Sequence, residues 1–310
     1  NRRGIDRIVI ADRLGTDGKW RNLAPLAFED YLEAGDLLPR LERHALGRFD
    51  CVLHMGACSA TTEPDATYLA RNNFEFTKLL CEWALGRGAR FVYASSAATY
   101  GDGAGGMSDA DDAPTALQRL RPLNGYGYSK QLFDLWAARK GVLGAIVGCK
   151  YFNVFGPNED HKGDMRSLVH KAYGQVLETG RVRLFRSHRP DYRDGEQRRD
   201  FLYVKDCVDM TLHLAAQRGA GGLYNLGSGV ASTWLDLAGA LFAAMGRTPE
   251  IEFVNMPASI RDKYQYHTQA DIAKLRATGY DAPVTSLGDA VRDYVTGYLT
   301  HDRRLGDETA

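Results

Sequence analysis

The chain has 310 residues, enough to build one large domain or two coupled ones, and its 44% hydrophobic and 25% charged residues are ordinary for a globular protein. Lysine plus arginine equals aspartate plus glutamate, 39 against 39, so net charge gives no case for nucleic acid or a membrane surface as partner. No run of about 18 apolar residues is present, no signal peptide opens the chain, and the five cysteines form no CxxC pair; the expectation is reduced thiols in a soluble, cytoplasmic protein.

Residues 7–12 (RIVIAD) read as a strand ending in Asp12. Further strands are expected at 51–55, 90–95 and 144–152, with little alternation of apolar and polar positions, as in parallel strands covered on both faces. Between them, 65–85 and 129–140 carry apolar residues at helical spacing: Leu79, Leu80, Trp83 and Ala84 in one, Leu132, Phe133 and Trp136 in the other. Strand, helix and strand in repetition predict an α/β fold, a Rossmann-like doubly wound parallel sheet. In the second half, 187–200 (SHRPDYRDGEQRRD) is too charged for a core and reads as an exposed loop. Residues 201–204 and 223–227 then return to the sheet, and 233–244 form a helix with Thr233 or Ser232 as N-cap.

The expected division is interleaved. Residues 1–151, 201–229 and 269–281 make a nucleotide-binding domain, and 152–200, 230–268 and 282–310 a smaller α/β substrate domain. A dinucleotide fold opens with a strand, a glycine-rich turn and a helix before the strand ending in Asp12. No Gly-x-x-Gly-x-x-Gly occurs in the sequence, so about 20 residues of such a fold are expected to lie ahead of Asn1.

Tyr126 and Lys130 are four apart, and on a helix that spacing puts a phenol and an ammonium on one face. A free phenol, with a pKa of about 10, is a poor base at neutral pH; a neighbouring ammonium and a positive nicotinamide ring would both draw it down. Tyr128 pairs instead with Leu132. Tyr-x-x-x-Lys alone is a common accident, and Ser96, at the carboxyl end of the strand 90–95, would alone be read as a turn serine. Together, at a spacing of about 30 residues, they point to the short-chain dehydrogenase/reductase superfamily, with Ser96 bridging the substrate oxygen and Tyr126.

Asp12 is placed to accept hydrogen bonds from an adenosine ribose, the signature of NAD. Arg13 and Lys19 follow closely and can neutralise a 2′-phosphate, so NADP is the expected cofactor, with NAD possible; the competing account is a solvated loop of mixed charge. Gly56, Ala57, Cys58 and Ser59, after Met55, let a cofactor approach the backbone closely, and Cys58 is read as packing rather than catalysis. Asn72 and Asn73, indifferent helix formers, need a hydrogen-bonding reason to be there, on the cofactor or on strand backbone.

From Asp12 to Asp281 the chain resembles the ADP-glyceromanno-heptose 6-epimerases. The matching pieces are 54–59 (HMGACS), 95–101, 124–130, 151–157 (YFNVFGP), 161–163 (HKG), 199–201, 225–227 and 264–271 (YQYHTQAD). GACS, HKG and TQAD single out this family; the others are shared with many sugar-nucleotide enzymes. The resemblance implies inversion at C6″ of an ADP-heptose for lipopolysaccharide core synthesis, through a transient ketone with bound NADP, in a homo-oligomer, often a pentamer. It implies Tyr126, Lys130 and Ser96 as catalytic residues, with Lys162 as a second acid/base opposite Tyr126; a loop or phosphate lysine is the alternative. Cofactor contacts would come from residues 55–59, Asn72, Lys130, Val154 and Lys162. The substrate would meet Ser96, Asn153, Asp164, Lys171, Phe185, Arg186, Ser187, His188, Arg199 and Tyr264. Arg199 suits a diphosphate clamp, against the rival of a surface ion pair with Asp200 or another carboxylate. The chain departs from the family pattern at Met55, Ala34, Asp164 and Lys171. Other nucleotide-sugar epimerases share this fold, and so do the 4,6-dehydratases, although Ala97-Ala98-Thr99 stands where those need an acid pair. A cofactor-sensing binding protein and a truncated inactive product are the remaining alternatives.

Overall fold

The computed structural model describes residues 1–261 and 263–307. Among them run eleven strands: β1 (Val9–Asp12), β2 (Asp30–Glu33), β3 (Cys51–His54), β4 (Arg90–Ser96), β5 (Val147–Tyr151), β6 (Asn153–Phe155), β7 (Val182–Phe185), β8 (Arg198–Tyr203), β9 (Gly222–Leu226), β10 (Ala231–Thr233) and β11 (Ile251–Val254).

The doubly wound arrangement centres on a four-stranded parallel sheet in the order β3-β4-β5-β9. β4 and β9 are buried along nearly their whole length, which is why their sequences show no in-and-out alternation. Helices Phe76–Gly86 and Gly125–Arg139 cover one face, packing Leu80, Cys81 and Phe133 against Phe91 and Tyr93. Helix Val204–Ala216 covers the other, with Met210 and Leu214 on Val92, Val147 and Cys149. β1 and β2 form a parallel pair of their own.

A second body of structure is built on the mixed sheet β10-β8-β6 and the parallel pair β7-β11. Its core gathers Val169 and Val176, Leu241 and Phe242, and Val291 and Tyr294 from helices Leu168–Thr179, Trp234–Ala244 and Leu287–Gly297. Thr233 caps the second of these in a capping box with Asp236, fixing its start. Among the described residues no helix is long and apolar enough to cross a membrane.

Three expectations need correction. The stretch 187–200 is not an exposed loop to its end: Arg198–Tyr203 is the central strand of the mixed sheet, and Arg199 and Asp200 are buried. Charge there does not mean exposure, because Asp200 finds its hydrogen bonds inside the protein. The helix expected over 65–85 is interrupted by a π-helical turn, Ala70–Glu75. The helix expected from 129 begins at Gly125, where Asn124 accepts a hydrogen bond from the Gly127 amide at 2.8 Å.

Candidate active site

That N-cap sets the position of the reacting groups. A Cβ at Gly127 would lie 2.8 Å from the Ala98 carbonyl and 3.1 Å from Pro122. Glycine therefore lets the first helical turn settle onto the 3-10 turn Ala97–Tyr100 that follows β4. Tyr126 and Lys130 then share one helix face, while Tyr128 points outward, 53% exposed. The Ser96 hydroxyl oxygen caps the turn, accepting from the Ala98 amide at 3.1 Å, and the Ser96 side chain hydrogen-bonds to Tyr126.

Lys130 is buried, and one of its three N–H donors goes to the Ala94 carbonyl at 2.7 Å. Burial pulls its pKa down to about 8, with Asp134 opposing. Burial also raises the Tyr126 phenol; the Ser96 hydrogen bond draws it back, and the nearby Cys58 thiol pushes it up. The lysine was expected to lower the phenol. In the folded chain desolvation of the phenol is the largest influence and outweighs the Ser96 hydrogen bond, so the phenol lies above its ordinary value.

The backbone after β3 is pinned by Asn73. Its side chain accepts from the Cys58 amide and donates to the Cys58 carbonyl, both at 2.9 Å, and donates to Ser129 Oγ at 3.0 Å. Asn72 donates to Asn73 at 2.9 Å. Met55, Gly56 and Ser59 are exposed, and Ala57 and Cys58 partly buried. At the end of β1, Lys19 Nζ lies 2.6 Å from Asp12 Oδ1, and Arg13 is exposed beside them. His161 lies within electrostatic reach of Asp12, Lys19 and Lys162, which brings the segment 160–165 up to the end of β1.

A cavity of about 660 Å3 opens beyond β6. Asn153, Val154, Lys162, Lys171, Phe185 and Tyr264 meet in its wall. Ser96 stands opposite Tyr151 in the β4–β5 register, two residues before Asn153, so the strand end bearing Ser96 abuts the chain that enters the cavity wall. Ser96, Asp164, Arg186, Ser187, His188 and Arg199 do not line this cavity, and neither do Tyr126 and Lys130. Asp194 holds two of them, pairing with Arg186 Nη1 at 3.0 Å and accepting from the Ser187 amide at 2.8 Å. The His188 amide donates to the Tyr266 hydroxyl.

Arg199 sits behind the wall, 4.8 Å from the Tyr264 ring centre and 5.7 Å from that of Trp234. Its Nη1 donates to the Arg198 carbonyl, and among the described residues no ion pair to Asp200 forms. Trp234 was missed in the sequence. It lines the cavity and donates from Nε1 to the Tyr264 hydroxyl at 2.8 Å. Its place directly after a Thr N-cap is the signal that could have marked it. Arg166 and Gln175 were also missed; Lys171 and Gln175, four apart, share a helix face.

Fold and residues together define a class, the extended short-chain dehydrogenases/reductases on a Rossmann-like sheet. Residues 1–227 match the NAD dependent epimerase/dehydratase family. The chain is 51% identical over 300 residues to an ADP-L-glycero-D-manno-heptose-6-epimerase of Nitratidesulfovibrio vulgaris, covering 96% of this chain and 92% of that protein. It is 42% identical to the Fusobacterium nucleatum protein of the same name, covering 97% and 93%. The crystal structure of the Helicobacter pylori ADP-L-glycero-D-manno-heptose-6-epimerase superposes with a TM-score of 0.76 at 25% identity, over 94% of this chain and 87% of that one. A Thermotoga maritima UDP-glucose 4-epimerase with UDP-glucose shares the fold, with a TM-score of 0.77 at 23% identity, over 97% and 93%. The chain belongs to the NAD dependent epimerase/dehydratase family, and within it to the ADP-glyceromanno-heptose 6-epimerases.

Proposed function

We propose that this protein inverts C6″ of ADP-D-glycero-β-D-manno-heptose to give the L-glycero isomer, through a transient ketone, as a step toward the lipopolysaccharide core. The observation that carries the reading is the Tyr126, Lys130 and Ser96 cluster at the end of β4, where Ser96 pairs with Tyr151, two residues before Asn153 in the wall of a cavity large enough for a nucleotide sugar. Relatives bearing the name of this activity match the chain almost end to end.

The donor set fits a nicotinamide dinucleotide. Lys130 is buried with N–H donors to spare for ribose hydroxyls, Asp12 ends β1 with an accepting carboxylate, and nothing would obstruct a close approach at Gly56. Arg13 and Lys19 beside Asp12 favour NADP, with NAD as the alternative. Bound there, the dinucleotide supplies hydride acceptance from C6″ and its return. Tyr126 takes the C6″ hydroxyl proton as the carbonyl forms, and Lys162 gives a proton to the same oxygen when the other face is reduced. Ser96 donates a hydrogen bond to the reacting oxygen, and Lys130 holds charge beside the phenol. Inversion requires the ketone to present its other face, and a single proton handler serves two orientations poorly. Lys162, in the cavity wall, is assigned to the second face. The reading includes a cytoplasmic address and a homo-oligomer, pentameric by family resemblance, which sedimentation velocity checks.

The test is turnover of ADP-heptose by Tyr126→Phe, Lys162→Met and the double variant of the NADP-loaded protein. Each single change should lower kcat by roughly 10²- to 10⁴-fold. A double variant that epimerises at the parent rate would overturn the two-residue scheme.

A further inference from the structure

Helix Gly125–Arg139 carries a second buried charge one turn beyond Lys130. Asp134 is wholly buried. Its Oδ1 accepts from the Tyr93 hydroxyl at 2.8 Å, and its Oδ2 from the Ser95 hydroxyl at 2.8 Å and from Lys150 Nζ at 2.9 Å. Lys150, 1% exposed, lies on β5 opposite Ser95 of β4. Its ammonium also donates to Thr99 Oγ1 at 2.6 Å and stands 4.9 Å from the centre of the Tyr100 ring. The Thr99 hydroxyl in turn donates to the Ser96 carbonyl at 2.8 Å. One member of this ion pair therefore shares a helix face with Lys130, and the other is tied through a single hydroxyl to the backbone of Ser96.

A buried ion pair is weak evidence for stability, because well-packed apolar side chains of like volume commonly do as well. Its place directly beneath the reacting groups asks for another explanation. We propose that Asp134 and Lys150 are positioning residues for the reaction. Lys150 fixes the turn that presents Ser96, and the two opposed charges of the Asp134–Lys150 pair, set against the Lys130 amine, hold the charge balance in which Tyr126 and Lys130 work. The inference rests on Tyr126 being the proton handler.

The groups around the pair are few. Lys130 faces Asp134 from its own helix, Cys58 from the loop after β3, and His54 of β3. His54 is kept neutral, its pKa lowered to about 3 by burial and by Lys130. Tyr126 faces Ser96 and Cys58. Lys150 faces Asp134, Thr99 and Tyr100. In so dry a site, unbalancing either charge acts directly on the amine and the phenol. Asp134→Asn leaves the Lys150 cation alone, which disfavours a protonated amine and favours phenolate. Lys150→Met leaves the carboxylate alone and does the reverse.

The experiment is the pH profile of single-turnover ketone formation in the NADP-loaded enzyme with ADP-heptose. The rate constant is independent of the fraction of active protein. The acid limb should move down by about one pH unit in Asp134→Asn and up by about one unit in Lys150→Met. It should return to the parent position in the double variant. A limb that stays still, or moves the same way in both, overturns the electrostatic part and leaves only packing. Should either single variant fail to accumulate, Thr99→Val, which cuts the link from Lys150 to Ser96, carries the test. A kcat lowered about tenfold at unchanged KM supports the positioning role, and parent kcat overturns it. Tyr126→Phe runs alongside: if it keeps the parent rate, the functional reading has failed rather than the pairing.

Discussion

His54 lies on the inner face of β3, between the rings of Phe76 and Phe91 at centroid distances of 5.6 and 6.2 Å. Its Nε2 is 2.8 Å from Thr77 Oγ1, and the threonine proton is already given to the Asn73 carbonyl at 2.7 Å. The imidazole must therefore be the donor, which fixes its tautomer as neutral with hydrogen on Nε2. With a folded pKa of about 3 against about 6.5 in the unfolded chain, the unfolded state takes up the proton first as pH falls. The stability tied to this group is complete above about pH 6.5 and declines toward pH 3, at about 1.4 kcal/mol per pH unit. Chemical denaturation at pH 7 and pH 5 should show a loss smaller by about 2 kcal/mol in His54→Leu than in the parent. Equal losses would mean that His54 does not govern this part of the acid response.

Elements that announce themselves locally were legible. The N-cap, Thr233 of the two the sequence offered, and the Tyr126–Lys130 spacing each lie within one turn of helix, so sequence distance and spatial distance agree. The short strands β6, β7, β10 and β11 were not legible, since three or four residues give no periodicity and their pairing partners lie far along the chain. The π turn at Ala70–Glu75 was hidden for another reason: its apolar spacing continues that of the helices on either side. Such turns often sit at functional positions. This one places Asn73, 1% exposed, to bind both backbone groups of Cys58 and the Ser129 hydroxyl. Asn73→Ala should cost about 2–3 kcal/mol, since it strips partners from an amide and a carbonyl at once. It should also speed hydrogen exchange at the Cys58 amide. Unchanged exchange there, with folding intact, would show that the loop after β3 keeps its shape without the side chain.

At the scale of the whole molecule, the cavity wall is drawn from residues about 100 positions apart, Asn153 and Tyr264 among them. Spacing alone gave no reason to bring them together; the resemblance to a family named them. What physically gathers them includes a carboxylate that the sequence suggested was in solvent. Asp200 is fully buried in the central strand β8. It accepts from the Ser228 amide and hydroxyl at 2.6 and 2.8 Å, and from the Gly229 and Ala270 amides at 2.9 Å. The fit leaves no room for a side chain at residue 227, where a Cβ would stand 2.5 Å from Ala270 Cβ and 2.8 Å from Asp200 Oδ2. One side chain thus ties β8 to the chain leaving β9 and to the segment following Tyr264. Asp200→Ala would strand three backbone amides in a dry site, at a cost of about 3 kcal/mol or more. Asp200→Asn keeps an acceptor oxygen but turns an NH2 toward donors, so it should fall between. If the stitch also holds the wall in place, the Asn variant will show faster hydrogen exchange at 228, 229 and 270 together with a raised KM for the nucleotide sugar. Faster exchange at those amides with parent KM would mean that Tyr264 and Trp234 hold the wall independently, through the hydrogen bond they share.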